Sequence, residues 1–124
     1  MSVPAPLEIR LRTRSRLLEV RFDDGACFSL PAEYLRVHSP SAEVTGHGVA
    51  VGLLISGKEA VGIRAVEPIG HYAVRLLFDD GHDTGLFTWK YLHELGTEQP
   101  QRWHAYLQRL KNAGITRQEP QTEA

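Results

Sequence analysis

Cysteine is nearly absent: one residue, Cys27, in a chain of 124. A lone cysteine excludes an internal disulfide and any zinc site built from clustered cysteines. No apolar run approaches the roughly 20 residues that a membrane-spanning helix needs. The opening stretch MSVPAPLEIR also lacks the apolar core of a secretory signal. Neither sign of charge dominates, since 14 Lys and Arg stand against 15 Asp and Glu for a net charge of −1. The balance holds locally, with seven basic and seven acidic residues in 1–62, and seven and eight in 63–124. Such a chain has no general attraction for nucleic acid or an anionic membrane. A cytoplasmic location, with neither of those partners, is the expectation. HExxH and the nucleophile elbow are missing as well, and Gly57-Lys58 lacks the earlier glycine of a phosphate-binding loop. No enzyme active site is readable.

What is present is an ordinary globular composition, 42% hydrophobic and 23% charged, at a length that suits one core. Period-two alternation marks Leu7–Thr13 as a half-buried strand, and Leu17–Phe22 follows as a second. Arginines 10, 12, 14, 16 and 21 read as a solvated sheet face, because no aromatic platform is interleaved with them. Asp24-Gly25 signals a two-residue type I′ turn. A short strand through Cys27 and Phe28 comes next, with Cys27 as a small core residue. A brief helix opening at Ser29 or Leu30 then carries Pro31 in its first turn and Tyr34 and Leu35 inward.

His38–Gly48 is a loop by composition, and Val49–Ser56 a weak strand. Ala60–Pro68 alternates again, with Val61, Ile63 and Ala65 on one face and Pro68 marking an edge. Tyr72, Val74, Leu76 and Phe78 share a face of a central strand, Asp80-Gly81 repeats the turn signal, and His82–Phe87 returns. Thr88 is placed to cap a helix at Trp89–Leu95, stopped by Gly96. In the last helix Thr97 is the expected cap and Pro100 sits in the first turn. Trp103, Tyr106, Leu107 and Leu110 form its apolar stripe, and Gly114 ends it.

Two of these segments are copies. Aligned on Phe-Asp-Asp-Gly, Phe22 falls on Phe78 and Gly25 on Gly81, 56 residues apart, and Tyr34-Leu35 falls on Tyr91-Leu92 after one inserted residue. The expected fold is α+β: a mixed, mainly antiparallel sheet built from two hairpin–helix units, with the C-terminal amphipathic helix packed on it. Residues 1–6 read as a flexible N-terminus, 7–114 as a single domain and 115–124 as a polar tail.

The second copy adds Asp79, Asp80, His82 and Asp83 within five residues. Oxygen and imidazole donors at that density suit a divalent metal, and they equally suit turn chemistry and a solvated edge. In the preceding loop, His38 and His47 flank Glu43, a spacing that is no ligand motif by itself.

The stretch GKEAVGIRAVEPIGHYAVRLLFDDGHDTGLFTWKYL resembles the gamma-butyrobetaine hydroxylase-like N-terminal domain family, over Leu7–Leu95. Domains of that family occur as small standalone bacterial proteins of unknown function. They also occur ahead of the oxygenase domain of carnitine-pathway hydroxylases, and fused to Mrp-type ATPases that carry iron–sulfur clusters. In the hydroxylases the domain holds zinc through three cysteines and a histidine. The resemblance places those cysteines at Ser39, Ser41 and Val44 and the histidine at His82, so only His82 keeps its ligand type. The metal set it implies here is His82, His38, His47, Glu43 and Asp80, an open and weaker site for iron or zinc. Gly25, Gly81, Trp89 and Tyr91 are the residues expected to hold turns and helix. The oxygenase catalytic domain and its iron ligands lie outside this region, so hydroxylase activity is not implied. The function expected is a non-enzymatic binding or adaptor domain for an unidentified protein partner, linked by resemblance to metal metabolism and the iron–sulfur assembly machinery. The alternatives are a metal-free protein-interaction module and an accessory domain of an oxygenase system.

Overall fold

The computed structural model describes residues 4–40, 54–83 and 85–117. Strands β1 (Pro6–Arg12), β2 (Leu17–Phe22) and β3 (Cys27–Pro31) lead into helix α1 (Ala32–Val37). Strands β4 (Ile63–Ile69), β5 (Ala73–Phe78) and β6 (Leu86–Thr88) lead into helix α2 (Trp89–Thr97), and helix α3 (Gln99–Asn112) comes last. The class is α+β, and every pairing is antiparallel. Among the described residues strands pair only within their own unit, giving two three-stranded sheets, β1-β2-β3 and β4-β5-β6, instead of one shared sheet. The central strands β2 and β5 supply Leu18, Val20, Phe22, Val74, Leu76 and Phe78 to a single core with Leu30, Tyr34, Leu35, Phe87, Leu92 and Leu95. Each of these large side chains stabilises the fold by roughly 1.5–3 kcal/mol through apolar area removed from water.

Both Phe-Asp-Asp-Gly turns differ from the two-residue type I′ form. Gly25 and Gly81 have φ of 90° and 93°, but neither Asp24 nor Asp80 has positive φ. In the first turn the Gly25 N–H donates to the Phe22 carbonyl at 3.1 Å and the Phe22 N–H to the Ala26 carbonyl at 2.8 Å. In the second, Gly81 donates to Phe78 at 3.3 Å and Phe78 to His82 at 3.0 Å. That is a three-residue loop, a type I turn closed by a glycine bulge. The second aspartate explains the choice, since its carboxylate accepts the N–H two residues on, from Ala26 at 3.0 Å and from His82 at 3.1 Å. The first aspartate straps the incoming chain. Asp79 and Gly62 exchange hydrogen bonds of 2.9 and 3.0 Å, as Asp23 and Ala5 do at 2.9 and 3.3 Å.

The repeat therefore reaches beyond the turn, and the contacts between units are reciprocal, the pattern of an isologous pairing. The Tyr34 hydroxyl donates to the Leu95 carbonyl and the Tyr91 hydroxyl to the His38 carbonyl, both at 2.6 Å. His93 of α2 reaches Asp24 at 2.8 Å, and Arg36 of α1 reaches Asp80 at 2.9 Å. Each helix thus fastens the other unit's turn. The close approaches swap as well: a Cβ on Gly96 would lie 2.3 Å from the Phe28 ring, and one on Gly85 would lie 2.0 Å from Ser39 Oγ.

Several local expectations change. Cys27 is exposed, not a core residue, because β3 turns Leu30 inward and Cys27 and Ser29 outward. β3 runs on through Pro31, since Leu30 pairs with Leu18, and α1 starts at Ala32, whose N–H still bonds the Arg16 carbonyl. A bulge between Ile63 and Ala65 shifts the period of β4, so Val66 packs against the core. Tyr72 precedes β5 and is 53% exposed. His82 and Asp83 lie outside β6, and Leu54–Ser56 is irregular; residues 49–53 lie outside the described residues. Gly96 does not end α2, which runs to Thr97; its lack of a side chain makes room for Phe28.

Thr97 does not cap α3. Its hydroxyl donates back to the His93 carbonyl at 2.8 Å, and Glu98 holds the N-cap position. Thr88 caps α2 as expected, accepting from the Tyr91 N–H at 3.1 Å. Along α3, Tyr106 and Leu110 are buried and Trp103 meets Tyr34 edge-on, while Leu107 is left exposed. Gly114 ends that helix at a φ of 73°, with the Ile115 N–H returning to the Leu110 carbonyl. Arg117 then folds back, pairing with the buried Glu33 through two hydrogen bonds and covering the Trp103 ring at 5.1 Å.

Candidate functional site

The repeat locates the site by where it fails. At one end of the molecule the positions around the first turn are Ala26, His93, Leu95 and Gly96. Their counterparts around the second turn are His82, Arg36, His38 and Ser39. Lys58 joins only the second set. Among the described residues the structural parts appear twice, whereas the dense cluster of polar, titratable side chains appears once.

Asp80 is the centre of that end. Its carboxylate takes Arg36 Nε at 2.9 Å and Lys58 Nζ at 2.7 Å, and its side chain is 20% exposed. Partial burial pushes the carboxyl up, but the bonds from Lys58, the His82 amide and Arg36 outweigh it and hold the pKa down at about 2. Arg36 also lies over the Phe78 ring, 5.9 Å from its centroid. Beside this cluster His82 Nε2 lies 3.0 Å from Ser39 Oγ. Gly85 makes that contact possible, since any side chain there would occupy the serine's place.

His38 serves another purpose. Its Nδ1 is 2.8 Å from the Tyr34 carbonyl, which can only accept, so Nδ1 carries the proton. Burial pushes its pKa below the ordinary value; the Tyr34 bond opposes this, and the Arg102 and Arg109 charges add to the lowering. Trp89 donates its indole N–H to the His71 carbonyl at 2.8 Å, and Tyr91 ties α2 to the end of α1. Those are structural roles, as are the φ-positive Gly25 and Gly81.

Of the candidate metal set, His82 and Asp80 come together at one end, joined there by Ser39. The His38 Nδ1 is engaged with the Tyr34 carbonyl, which leaves Nε2 as its acceptor nitrogen, and Glu43 and His47 lie outside the described residues. Among the described residues no three His, Cys, Asp or Glu side chains are grouped as a metal ion requires. The Asp80 carboxylate already sits between two cations, an arrangement that repels a third. A closed thiolate zinc site does not fit the described residues. The fold does bring Ser39 and His82 together, but a serine hydroxyl is no thiolate, and Cys27 is exposed on β3. Sequence reasoning passed over Arg36 and Lys58. The available signal was the alignment of Tyr34-Leu35-Arg36 with Tyr91-Leu92-His93, which puts a side chain of hydrogen-bonding capacity at the same place in both helices.

Among the described residues no helix is long and apolar enough to cross a membrane. The chain is similar to a protein with a known NMR solution structure, 49% identical, over 98% of this chain and 95% of that one, with a TM-score of 0.84. A second NMR solution structure is 46% identical, over 98% and 90% of the two chains, at a TM-score of 0.80. The crystal structure of a protein of unknown function from the DUF971 family of Acidithiobacillus ferrooxidans is also 46% identical, over 73% of this chain and 91% of that one, at a TM-score of 0.63. No curated protein matches the sequence. The model of the gamma-butyrobetaine hydroxylase-like N-terminal domain matches residues 9–93, from β1 into α2 and so across both units of the repeat. The chain belongs to the gamma-butyrobetaine hydroxylase-like N-terminal domain family.

Proposed function

We propose that the protein is a non-enzymatic binding or adaptor domain that engages a protein partner through the Arg36–Lys58–Asp80–His82 end, without a resident metal. One observation carries this reading: the two units share their framework, and the polar cluster is built at one end only. A feature that the fold needed for stability would be expected at both ends. Arg36 and Lys58 outnumber the Asp80 charge they share, so the surface suits an acidic or hydrogen-bonding patch. Membership of the family is compatible with a role near metal or iron–sulfur metabolism, or as an accessory to an oxygenase, and the partner is sought there.

The test is site-specific photo-crosslinking in cells from position 58, with position 21 on the outer face of β2 as the control. A partner trapped from 58 and not from 21, and lost with His82→Ala, is the expected result. Equal crosslinking from both positions would refute the assignment.

A second reading has its own support, the 3.0 Å approach of Ser39 to His82 at two positions where the hydroxylases place zinc ligands. In that reading iron or zinc is held by His82 with Glu43 and His47. Elemental analysis of protein purified without chelator, with iron(II) and zinc titrations, separates the two. Stoichiometric metal that disappears in His82→Ala supports the second reading, and a metal-free protein indifferent to both ions supports the first.

A further inference from the structure

Of the five arginines that the sequence sets along the first hairpin, three are engaged. Arg10 and Arg21 pair with Glu8, and Arg12 with Glu19, on the outer face of β1 and β2. Arg14 and Arg16 stand instead in the exposed turn of residues 13–16 that joins those strands. Arg64, at the bulge of β4, is exposed as well. Among the described residues no carboxylate is paired with any of these three.

Arg16 brings its charge to the second turn. The place that a Cβ on Gly62 would take lies 2.9 Å from Asp79 Oδ2 and 3.9 Å from Arg16 Cγ. The Arg16 stem therefore passes beside the residue that precedes Asp80. Lys58, which holds Asp80 at 2.7 Å, belongs to the same stretch, its carbonyl accepting the Val61 N–H at 3.1 Å. Arg16 thus continues the basic surface of Arg36 and Lys58 toward the β1–β2 turn, and Arg64 follows Gly62 by two residues.

The backbone shows that this placement is not free. Arg16 has a φ of 57° and is the one positive-φ residue other than glycine among the described residues, in a region that a side chain resists. The repeat shows that the fold does not require it. Arg16 falls on Tyr72, and the carbonyl of each receives the N–H at the start of the next helix, Ala32 at 2.8 Å and Trp89 at 2.9 Å. The second hairpin makes this connection with its positive φ on a glycine, Gly70 at 55°. An arginine held in a strained conformation where the twin turn uses glycine points to a use outside the fold.

The side chains select the class of partner. Guanidinium forks match carboxylates. Thr13 and Ser15 separate the arginines, so the turn offers no ring for a base to stack on and no apolar side chain to enter a bilayer. We propose that Arg14, Arg16 and Arg64 extend the partner surface and bind an acidic segment of the partner protein, rich in Asp and Glu. The inference rests on the partner surface proposed above for its location and names the chemistry of what docks there.

The probe is hexaglutamate, titrated into the isotope-labelled full chain at physiological ionic strength while the Nε–H resonances of the three arginines are followed. Saturable shifts are expected, with binding about tenfold weaker in Arg14→Gln/Arg16→Gln, the factor that two exposed charge contacts represent. Binding should be unchanged in Arg10→Gln/Arg21→Gln, which removes the same charge from the sheet face. Equal weakening in the two double variants would reduce the effect to net charge and overturn the site. Tighter binding of an oligouridylate than of hexaglutamate would replace the peptide assignment with nucleic acid. Arg16→Gly separates use from structure: binding falls while the urea midpoint holds or rises, and a lower midpoint would make Arg16 structural. In cells, crosslinking from position 58 should drop severalfold in Arg14→Gln/Arg16→Gln. Unchanged trapping there would overturn this extension with the partner surface intact. No trapping from 58 in the unaltered chain is the failure of that surface itself, and the hexaglutamate titration then decides on the arginines alone.

Discussion

At Gly81 the backbone has a φ of 93°, and a Cβ built there meets nothing within 4 Å. Any cost of substitution is therefore backbone strain alone. Gly81→Val should lose roughly 1–3 kcal/mol in urea unfolding, because a β-branched residue resists positive φ. Gly25→Val should lose a similar amount, since its φ is 90° and its surroundings are equally open. Gly96→Ala belongs to a different class, with a normal φ but a Phe28 ring atom at 2.3 Å. Overpacking of this kind costs roughly 1–3 kcal/mol, and Phe28→Ala in the same chain should recover part of it. A Gly96→Ala loss identical with and without Phe28 would contradict the contact.

Asp80 ties stability to pH in a definite direction. Its folded-state pKa of about 2 lies below the ordinary 3.8, so its stabilising contribution is present above that ordinary value and is lost as pH falls through about 2. Discounted for solvent screening of a partly exposed group, Asp80→Asn should cost about 1–2 kcal/mol at pH 7 and close to nothing at pH 2. Paired urea curves at the two pH values check this. A loss of the same size at both would remove the carboxylate's charge from the explanation.

Among the elements, α3 lies outside the repeat and depends on the chain beyond its C-terminal end. Arg117 closes over Trp103 and neutralises Glu33, whose side chain is only 7% exposed. Removing one member of a buried pair leaves an uncompensated charge, so Arg117→Ala should lose about 3–5 kcal/mol, and Glu33→Gln on that background should restore much of it. Thermal unfolding of the two variants measures both effects.

The legibility of the elements shows the same division between local and distant causes. The hairpins, the Thr88 cap and the Tyr34/Tyr91 alignment are readable in the sequence because each depends on near neighbours. The side of the sheet that Cys27 faces is not, because β3 takes its register from β2 and its packing from α2. Nor is the shift at Arg64, where a bulge resets an alternation that looks unbroken in the sequence. At the candidate site Asp80 and His82 are visible as turn residues. Their partners Arg36, Ser39 and Lys58 are not, because 44, 43 and 22 residues separate each pair.

For the whole molecule, the exchange of contacts between the two Phe-Asp-Asp-Gly turns and the opposite helices has a consequence for how the chain can be divided. Each turn closes within its own half, but the helix side chain that fastens it and the carbonyl that each tyrosine hydroxyl reaches come from the other half, so each half alone lacks those partners. Cut between Pro40 and Leu54, the protein should behave as a split pair: the two fragments fail to fold alone and reassemble on mixing into a species with the parent's unfolding midpoint, measured by circular dichroism. A fragment that melts cooperatively by itself would show the halves to be independent. The fold thus has the form of two like subunits joined in one chain, which lets equivalent ends carry different side chains: Asp24 with His93 at one, Asp80 with Arg36 and Lys58 at the other.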